Sequence, residues 1–315
     1  MKHFKHMQAS SAKEAANQTK NGASVLIAGG TDILGTLKDE ILPTYPETVV
    51  DIKTIEGMDE IKEDGNALRI GALATLAQVA ESETVKNGCP ALAEACARAA
   101  SPTIRHMGTI GGNACQMHRC WYFRTPDDRF HCIRKGGDWC PARIGDNRYH
   151  SIYGDQDGCY ASSSHDTAPA LAALGATVVT TNREVPAEEF FRASGTRSNV
   201  LEDGEVVTEF KVPKAPKSAF QKFALRKSID FPLVNCAVAQ QEDGSVRVVL
   251  GGVYPAPWRS AEAEAELSRG IDAVSVERAA DAAVSVCKPL GKNGYKVEIA
   301  RTMVKRTLLE LAERG

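Results

Sequence analysis

Between residues 117 and 162 the chain shows neither the 3.6-residue recurrence of a helix nor the alternation of a strand. It is rich there in Arg, Asp, Gly, His and aromatic side chains. An aperiodic stretch of this length is uncommon inside a compact domain unless something other than backbone pairing orders it. The same stretch holds Cys120, Cys132, Cys140 and Cys159, spaced C-x11-C-x7-C-x18-C. Four thiolates can close a tetrahedral zinc site or hold a cubane iron–sulfur cluster, and either would supply the missing order. With no C-x-x-C pair among them, the spacing leaves both open, beside free thiols in a loop.

Composition narrows the setting. The chain has nine cysteines in 315 residues, an odd count that excludes complete internal pairing and is too sparse for a disulfide scaffold. Met1 to Met7 runs into polar residues without the apolar stretch of a secretory signal, and no window approaches the roughly 20 apolar residues of a membrane span. The expectation is a cytoplasmic protein with no membrane contact, in which thiols stay reduced and clustered cysteines serve metal or catalysis. A formal net charge of −2 argues against nucleic acid as a partner.

The remaining sequence is periodic. Residues 1–55 read as a small β-α-β unit. Ser11 and Glu14 form a capping-box signature that opens a helix over Ala12 to Lys20, and apolar strands follow at Ser24 to Ala28 and Thr48 to Ile52. Residues 56–212 contain a hairpin turning at Asp64-Gly65-Asn66 and helical patterns from Leu76 to Val85 and Ala91 to Ala100. Beyond the insertion they continue with a buried helix at Ala168 to Ala176 and a strand at Thr177 to Thr181. Val206 to Val253 alternates like antiparallel strands. The last 55 residues are helical, with a core stripe of Val297, Ala300, Met303, Val304, Leu308 and Leu311. Residues 213–315 therefore form a third portion. Cys89, Cys96, Cys236 and Cys287 lie in apolar contexts and read as small core residues.

Two double-glycine sites stand out. Ala28-Gly29-Gly30-Thr31-Asp32 follows a strand and precedes a helical stretch, where glycine permits close backbone approach and free N–H groups attract an anion. It is neither G-x-G-x-x-G nor a P-loop, and a plain turn is the simpler alternative. Thr109-Ile110-Gly111-Gly112-Asn113 repeats the pattern. Tight dinucleotide binding at nanomolar level needs about −12 kcal/mol, so two loops would have to act together.

These two sites, with Arg105 before the second, Ser164-His165-Asp166 before an Ala/Leu-rich helix, Arg226-Lys227-Ser228-Ile229-Asp230, and Leu250-Gly251-Gly252-Val253 with Pro255, Pro257 and Arg259, resemble the FAD-binding subunit of the xanthine dehydrogenase, or molybdenum hydroxylase, family. The resemblance covers nearly the whole chain. It implies an α+β chain with an FAD-binding fold of the vanillyl-alcohol oxidase and CO dehydrogenase flavoprotein type: a small β-α-β subdomain, a second α/β subdomain, and a C-terminal antiparallel sheet with helices.

By this resemblance Ala28, Gly29, Gly30, Thr31 and Asp32, with Thr109, Gly111, Gly112 and Asn113, would clasp the FAD diphosphate. Asp166 would hold sugar or ribityl hydroxyls, and Arg226 and Asp230 would lie near the flavin. An N-cap role for Asp166 is the local alternative. The insertion is similar to that of the 4-hydroxybenzoyl-CoA reductase type and of some aldehyde-oxidising relatives, where four cysteines carry a [4Fe-4S] cluster. Cys159 sits later than in the simplest version of that pattern, and Cys115 is the alternative ligand. His118, His131 and His150 read as hydrogen-bonding or surface residues, and Trp121, Tyr122 and Phe123 as loop packing.

The implied activity is electron transfer as the oxidoreductase subunit of a larger complex that would reduce or hydroxylate an aromatic, heteroaromatic or aldehyde substrate, the 4-hydroxybenzoyl-CoA reductase type being favoured, with no general acid or base on this chain. Its partners would be a molybdopterin-containing large subunit, a small subunit with two [2Fe-2S] clusters, and a ferredoxin-like carrier or NAD. A stand-alone flavin oxidase and a zinc-stapled nucleotide-binding adaptor are the competing classes.

Overall fold

The computed structural model describes residues 1–314, and at Asp127 the backbone only. Three sheets organise it. In the first, β1 (Lys5–Gln8), β2 (Ser24–Ile27) and β3 (Thr48–Asp51) pair in parallel in the order β1-β3-β2, with α1 (Ala12–Thr19) and α2 (Ile33–Lys38) in the connections. Parallel neighbours require such crossovers, and Val49, Val50, Ala15 and Ala16 bury the helix–sheet contact. Ser11 caps α1 by accepting from the Glu14 N–H, but Glu14 reaches back to the N–H of Ser10, one residue earlier than a standard capping box. The strand β1 has no sequence signature, because three of its four residues are exposed.

The second sheet has the order β4-β5-β8-β6-β7. β4 (Ile61–Asp64) and β5 (Ala67–Gly71) form the expected hairpin, with Gly65 at φ +58° in the turn. β6 (Thr177–Thr180), β7 (Glu184–Pro186) and β8 (Val207–Pro213) complete it. The same portion of the chain carries α3 (Leu76–Glu81), α4 (Glu83–Gly88), α5 (Pro90–Arg98), α6 (Pro102–Arg105), α7 (Ile110–Cys115), α8 (Thr167–Ala173) and α9 (Ala187–Phe190), of which α5 and α8 pack against the third sheet. The single helix expected over residues 76–85 is two helices. Ser82 takes an extended conformation and its hydroxyl caps Val85, a local alternative that Ser offers to helical continuation.

The third sheet is antiparallel, β12-β11-β10-β9, formed by β9 (Ser218–Phe223), β10 (Val234–Gln240), β11 (Val246–Gly251) and β12 (Trp258–Arg259). The alternating run from Val206 to Val253 is thus shared between two sheets, with β8 in the second. α10 (Ala261–Glu266), α11 (Ala273–Ser285) and α12 (Tyr295–Glu313) cover the third sheet, and the stripe Ala300, Met303, Val304, Leu308 and Leu311 is buried there. Among the described residues no helix is long and apolar enough to cross a membrane.

Among the described residues, the helical pieces of the aperiodic insertion are three short 3-10 turns, and isolated bridges join Cys132 to Trp139 and Gln156 to Cys159. Its end is stitched to the third sheet: Ile152 N–H donates to Val253 O, Ser163 N–H to Tyr254 O, and the Asn293 amide to His150 O and Ser151 O. Lys296, fully buried beneath it, donates to His150 O and Gly252 O. Desolvation lowers its pKa to about 7.

Candidate functional site

The loop after β2 runs past the loop before α7 at van der Waals contact. A Cβ on Gly29 would stand 1.9 Å from Met107 O and 2.6 Å from Met107 C, so only glycine lets the two backbones meet. Gly30 has φ +71°, which also favours glycine. Beyond this contact opens a cleft of about 260 Å³ lined by Ala28, Gly29, Gly30, Thr31, Asp32, Thr109, Gly111 and Gly112.

The two loops serve the cleft differently. Among the described residues, the N–H groups of Gly29, Gly30, Thr31 and Asp32 donate to no protein acceptor, which makes the first loop a concave set of free donors. At the second loop the donors are spent. Ile110 N–H goes to Ala74 O, Gly111 N–H to Ala72 O, and Gly112 N–H to the Thr109 hydroxyl at 3.0 Å. Gly111 is there for packing, since its Cβ would lie 2.7 Å from Ala72 O. What the second loop offers is the Thr109 hydroxyl proton, which remains available because Oγ1 acts only as an acceptor.

Other anticipated residues meet protein partners. Asp32 Oδ1 receives Arg124 at 2.7 Å and Arg119 at 2.9 Å, and Oδ2 receives the Met117 N–H at 3.0 Å. It therefore ties the first glycine loop to the start of the cysteine insertion. Asn113 accepts from the Thr167 hydroxyl at 2.6 Å, joining α7 to α8. Asp166 occupies the N-cap position of α8 but makes no capping bond, which corrects the local reading. Its buried carboxylate pairs with Lys222 at 2.7 Å and with the Asn235 amide at 3.0 Å, and burial pushes its pKa up against these partners. The neighbouring His165 is held neutral by desolvation, its pKa lowered to about 4, and touches Gln116 O at 3.0 Å behind the cleft.

The opposite wall was not legible in the sequence. Arg197, Asn199 and residues 201–205 line the cleft without a glycine pattern or a periodicity to mark them, and only their position after α9 brings them there.

A second cavity, about 510 Å³, adjoins Arg119. Arg226 and Asp230 stand at it, paired through Nε–Oδ1 at 2.8 Å and the Arg226 N–H at 2.7 Å; this bonding holds the Asp230 carboxyl below its usual range. Trp121, Phe231, Pro232 and Leu233 supply apolar walls, and Arg119 lies over the Phe231 ring at 4.7 Å. Two buried polar atoms here, Ser164 Oγ and Arg119 Nε, have no hydrogen-bond partner among the described residues. Such orphans are expected where a polar ligand completes the bonding.

Cys120, Cys132, Cys140 and Cys159 line one small closed cavity, whereas Cys115 faces the glycine cleft. Backbone N–H groups approach three of the sulfurs: Phe123 toward Cys120, Arg134 toward Cys132, and Ala161 toward Cys159 at 3.5 Å. His150 Nε2 is 3.3 Å from Cys120 Sγ. Burial pushes the Cys120 and Cys132 thiols up, and Cys159 to about 12, while these N–H groups act in the opposite sense. Among the described residues no group of three or more His, Cys, Asp or Glu side chains is arranged to hold a metal ion. His118 is buried against Pro255 O at 2.7 Å, and His131 is exposed. Tyr122 packs edge-on to Phe130, and Phe123 joins Ile41 and Cys132 in an apolar cluster. Cys89, Cys96 and Cys236 are buried in the cores as expected.

Residues 2–215 match the FAD binding domain in molybdopterin dehydrogenase, and residues 218–311 match the CO dehydrogenase flavoprotein C-terminal domain. The chain belongs to the FAD-binding subunits of the molybdopterin dehydrogenases. It is 32% identical over 324 aligned residues to the aldehyde oxidoreductase FAD-binding subunit PaoB of Escherichia coli K12, covering 98% of each chain. It is 28% identical to the carbon monoxide dehydrogenase medium chain of Hydrogenophaga pseudoflava, covering 90% of this chain and 87% of that one. A solved structure of the Hydrogenophaga pseudoflava carbon monoxide dehydrogenase superposes with a TM-score of 0.75 at 27% identity, over 99% and 98% of the two chains. The FAD-binding subunit is thus an oxidoreductase component.

Proposed function

We propose that this chain is the flavin-bearing electron-transfer subunit of a heteromeric molybdenum enzyme acting on aldehydes, and that it carries its own [4Fe-4S] cluster. Aldehyde chemistry is favoured over an aromatic thioester reductase by the full-length likeness to an aldehyde oxidoreductase subunit. A molybdopterin-containing large subunit would handle the substrate and a small subunit with two [2Fe-2S] clusters would link it to this chain, with a ferredoxin-like carrier or NAD as the external partner. FAD supplies the exchange between paired and single electrons.

The residues fit that cofactor. The free N–H groups of Gly29 to Asp32 and the Thr109 hydroxyl would hold the diphosphate, with Gly112 leaving the approach open. The second cavity would take the isoalloxazine, whose polar edge suits the orphaned Ser164 Oγ and Arg119 Nε and whose faces suit Trp121 and Phe231. Arg119, paired with Asp32, stands between the two compartments.

The observation that carries the cluster reading is the convergence of four distant cysteines on one cavity, three of them with N–H groups directed at sulfur. Such bonds favour thiolate over thiol. Four cysteine thiols are a donor set for either a cubane or a zinc ion, and the resemblance of the insertion to cluster-bearing relatives is what favours the cubane. The test is an absorption spectrum with iron, zinc and flavin analysis. A yellow-brown protein is expected, and a protein containing zinc without iron would defeat the cluster. Cys132→Ser should lose iron yet keep FAD, since Cys132 faces the closed cavity and not the cleft. Equal loss of both cofactors would show that the insertion is part of the flavin site.

A further inference from the structure

Arg134 is an anomaly in the wall of the cysteine cavity. Its side chain lines that cavity, the residue is 8% exposed, and among the described residues it has no carboxylate in ion-pair range. Asp157, a nearby carboxylate, pairs instead with Arg192 at 3.5 Å. One guanidinium nitrogen donates to the carbonyl of Arg197, a residue of the glycine cleft wall, while Nε is buried and among the described residues has no hydrogen-bond partner. A buried cation with one carbonyl and an orphaned donor is costly unless an anion completes it.

The groups that share this wall with the guanidinium are the sulfurs of Cys120, Cys132, Cys140 and Cys159, which become anionic thiolates when a metal group is held there. The backbone N–H of the same residue is directed at Cys132, so main chain and side chain of Arg134 serve one cavity. The bond to Arg197 O prevents the guanidinium from turning away to solvent.

We infer that Arg134 is the built-in counter-cation of the four-cysteine cavity and a positioning residue that raises the reduction potential of the group held there. This rests on the cluster reading above. A cubane on four thiolates is anionic and becomes more so on reduction, and a fixed cation in a low-dielectric wall favours the more negative state. Arginine suits the role because its planar fork can bond Arg197 O through one nitrogen and still leave Nε undonated in the cavity wall.

The experiment compares the purified complex carrying wild-type Arg134, Arg134→Gln or Arg134→Lys, after iron and flavin analysis, by a redox titration of the low-temperature EPR signal of the reduced cubane. At the ambient potential where the wild-type cluster is half reduced, Arg134→Gln should show a reduced-to-oxidised ratio at least tenfold lower. For a one-electron couple that is a midpoint about 59 mV more negative. Arg134→Lys, which keeps the charge, should stay within about threefold of wild type, where 1.4 kcal/mol is a factor of ten. Loss of iron in Arg134→Gln with retention in Arg134→Lys would support the same role. A wild-type midpoint in an iron-replete Arg134→Gln protein would overturn it, as would loss of iron from both variants. An iron-free wild-type protein, recognised by metal analysis before any titration, would instead overturn the cluster itself.

Discussion

Gly29→Ala should purify without flavin. The added methyl would lie 1.9 Å from Met107 O and 2.6 Å from Met107 C, both backbone atoms, so the two loops must separate. Separation turns the free N–H groups of Gly29 to Asp32 away from the position they share with the Thr109 hydroxyl. Losing two hydrogen bonds to a charged diphosphate, at about 2 kcal/mol each, weakens FAD binding about 10³-fold. The comparison is Gly35→Ala in the exposed first turns of α2, where a Cβ would meet nothing within 4 Å. That variant should keep its flavin and gain about 0.5–1 kcal/mol of stability, as alanine replaces glycine within a helix. Flavin-to-protein ratio and a fluorescence-quench titration read the outcome. A Gly29→Ala protein that retained stoichiometric FAD would show that the loop contact does not shape the site.

Lys222→Met should destabilise the fold by about 3–5 kcal/mol at pH 8, because it strands the Asp166 carboxylate in a buried position. The ion pair joins α8 to β9, and both side chains are under 5% exposed. The pH dependence has a definite sign. Burial already raises the Asp166 pKa with Lys222 in place, and removing the lysine removes the largest opposing influence. With a folded pKa above the unfolded value of about 3.9, the folded state binds more protons, so the variant loses stability as pH rises through its folded pKa. Its deficit relative to wild type should therefore be smaller at pH 5 than at pH 8. The double variant Lys222→Met with Asp166→Asn should recover much of the loss, since no buried charge then remains. Denaturant melts at the two pH values decide the matter, and a deficit independent of pH and not rescued by Asp166→Asn would refute the stranded-charge account.

Much of the fold could be read from local patterns. The hairpin at Gly65, the strands at residues 24–27 and 48–51, the buried α8 and the apolar stripe of α12 all announce themselves through periodicity or turn chemistry. Where reading failed, a competing local interaction was responsible. Ser82 broke a helix that apolar spacing had joined, and the exposed residues of β1 left no alternation to detect. The second glycine loop looked like a copy of the first, but the carbonyls of Ala72 and Ala74 consume its donors. Those two residues are distant in sequence, and nothing near Gly111 signals their presence.

The chemical inventory is written in the residue order: glycines where two backbones must touch, four thiols in one aperiodic stretch, and apolar faces for three layers of helix and sheet. These follow from the residue types, because periodicity and backbone freedom are local properties. Only the tertiary structure decided that Cys159 and not Cys115 joins the cysteine cavity, that Asp32 and Asp166 bond to arginine and lysine of the same chain, and that Arg134 is buried beside sulfur with a donor unspent. Each of these depends on which segments meet after folding. Burial then sets what a charge must find, and neither partner nor burial is written in the spacing of neighbouring residues.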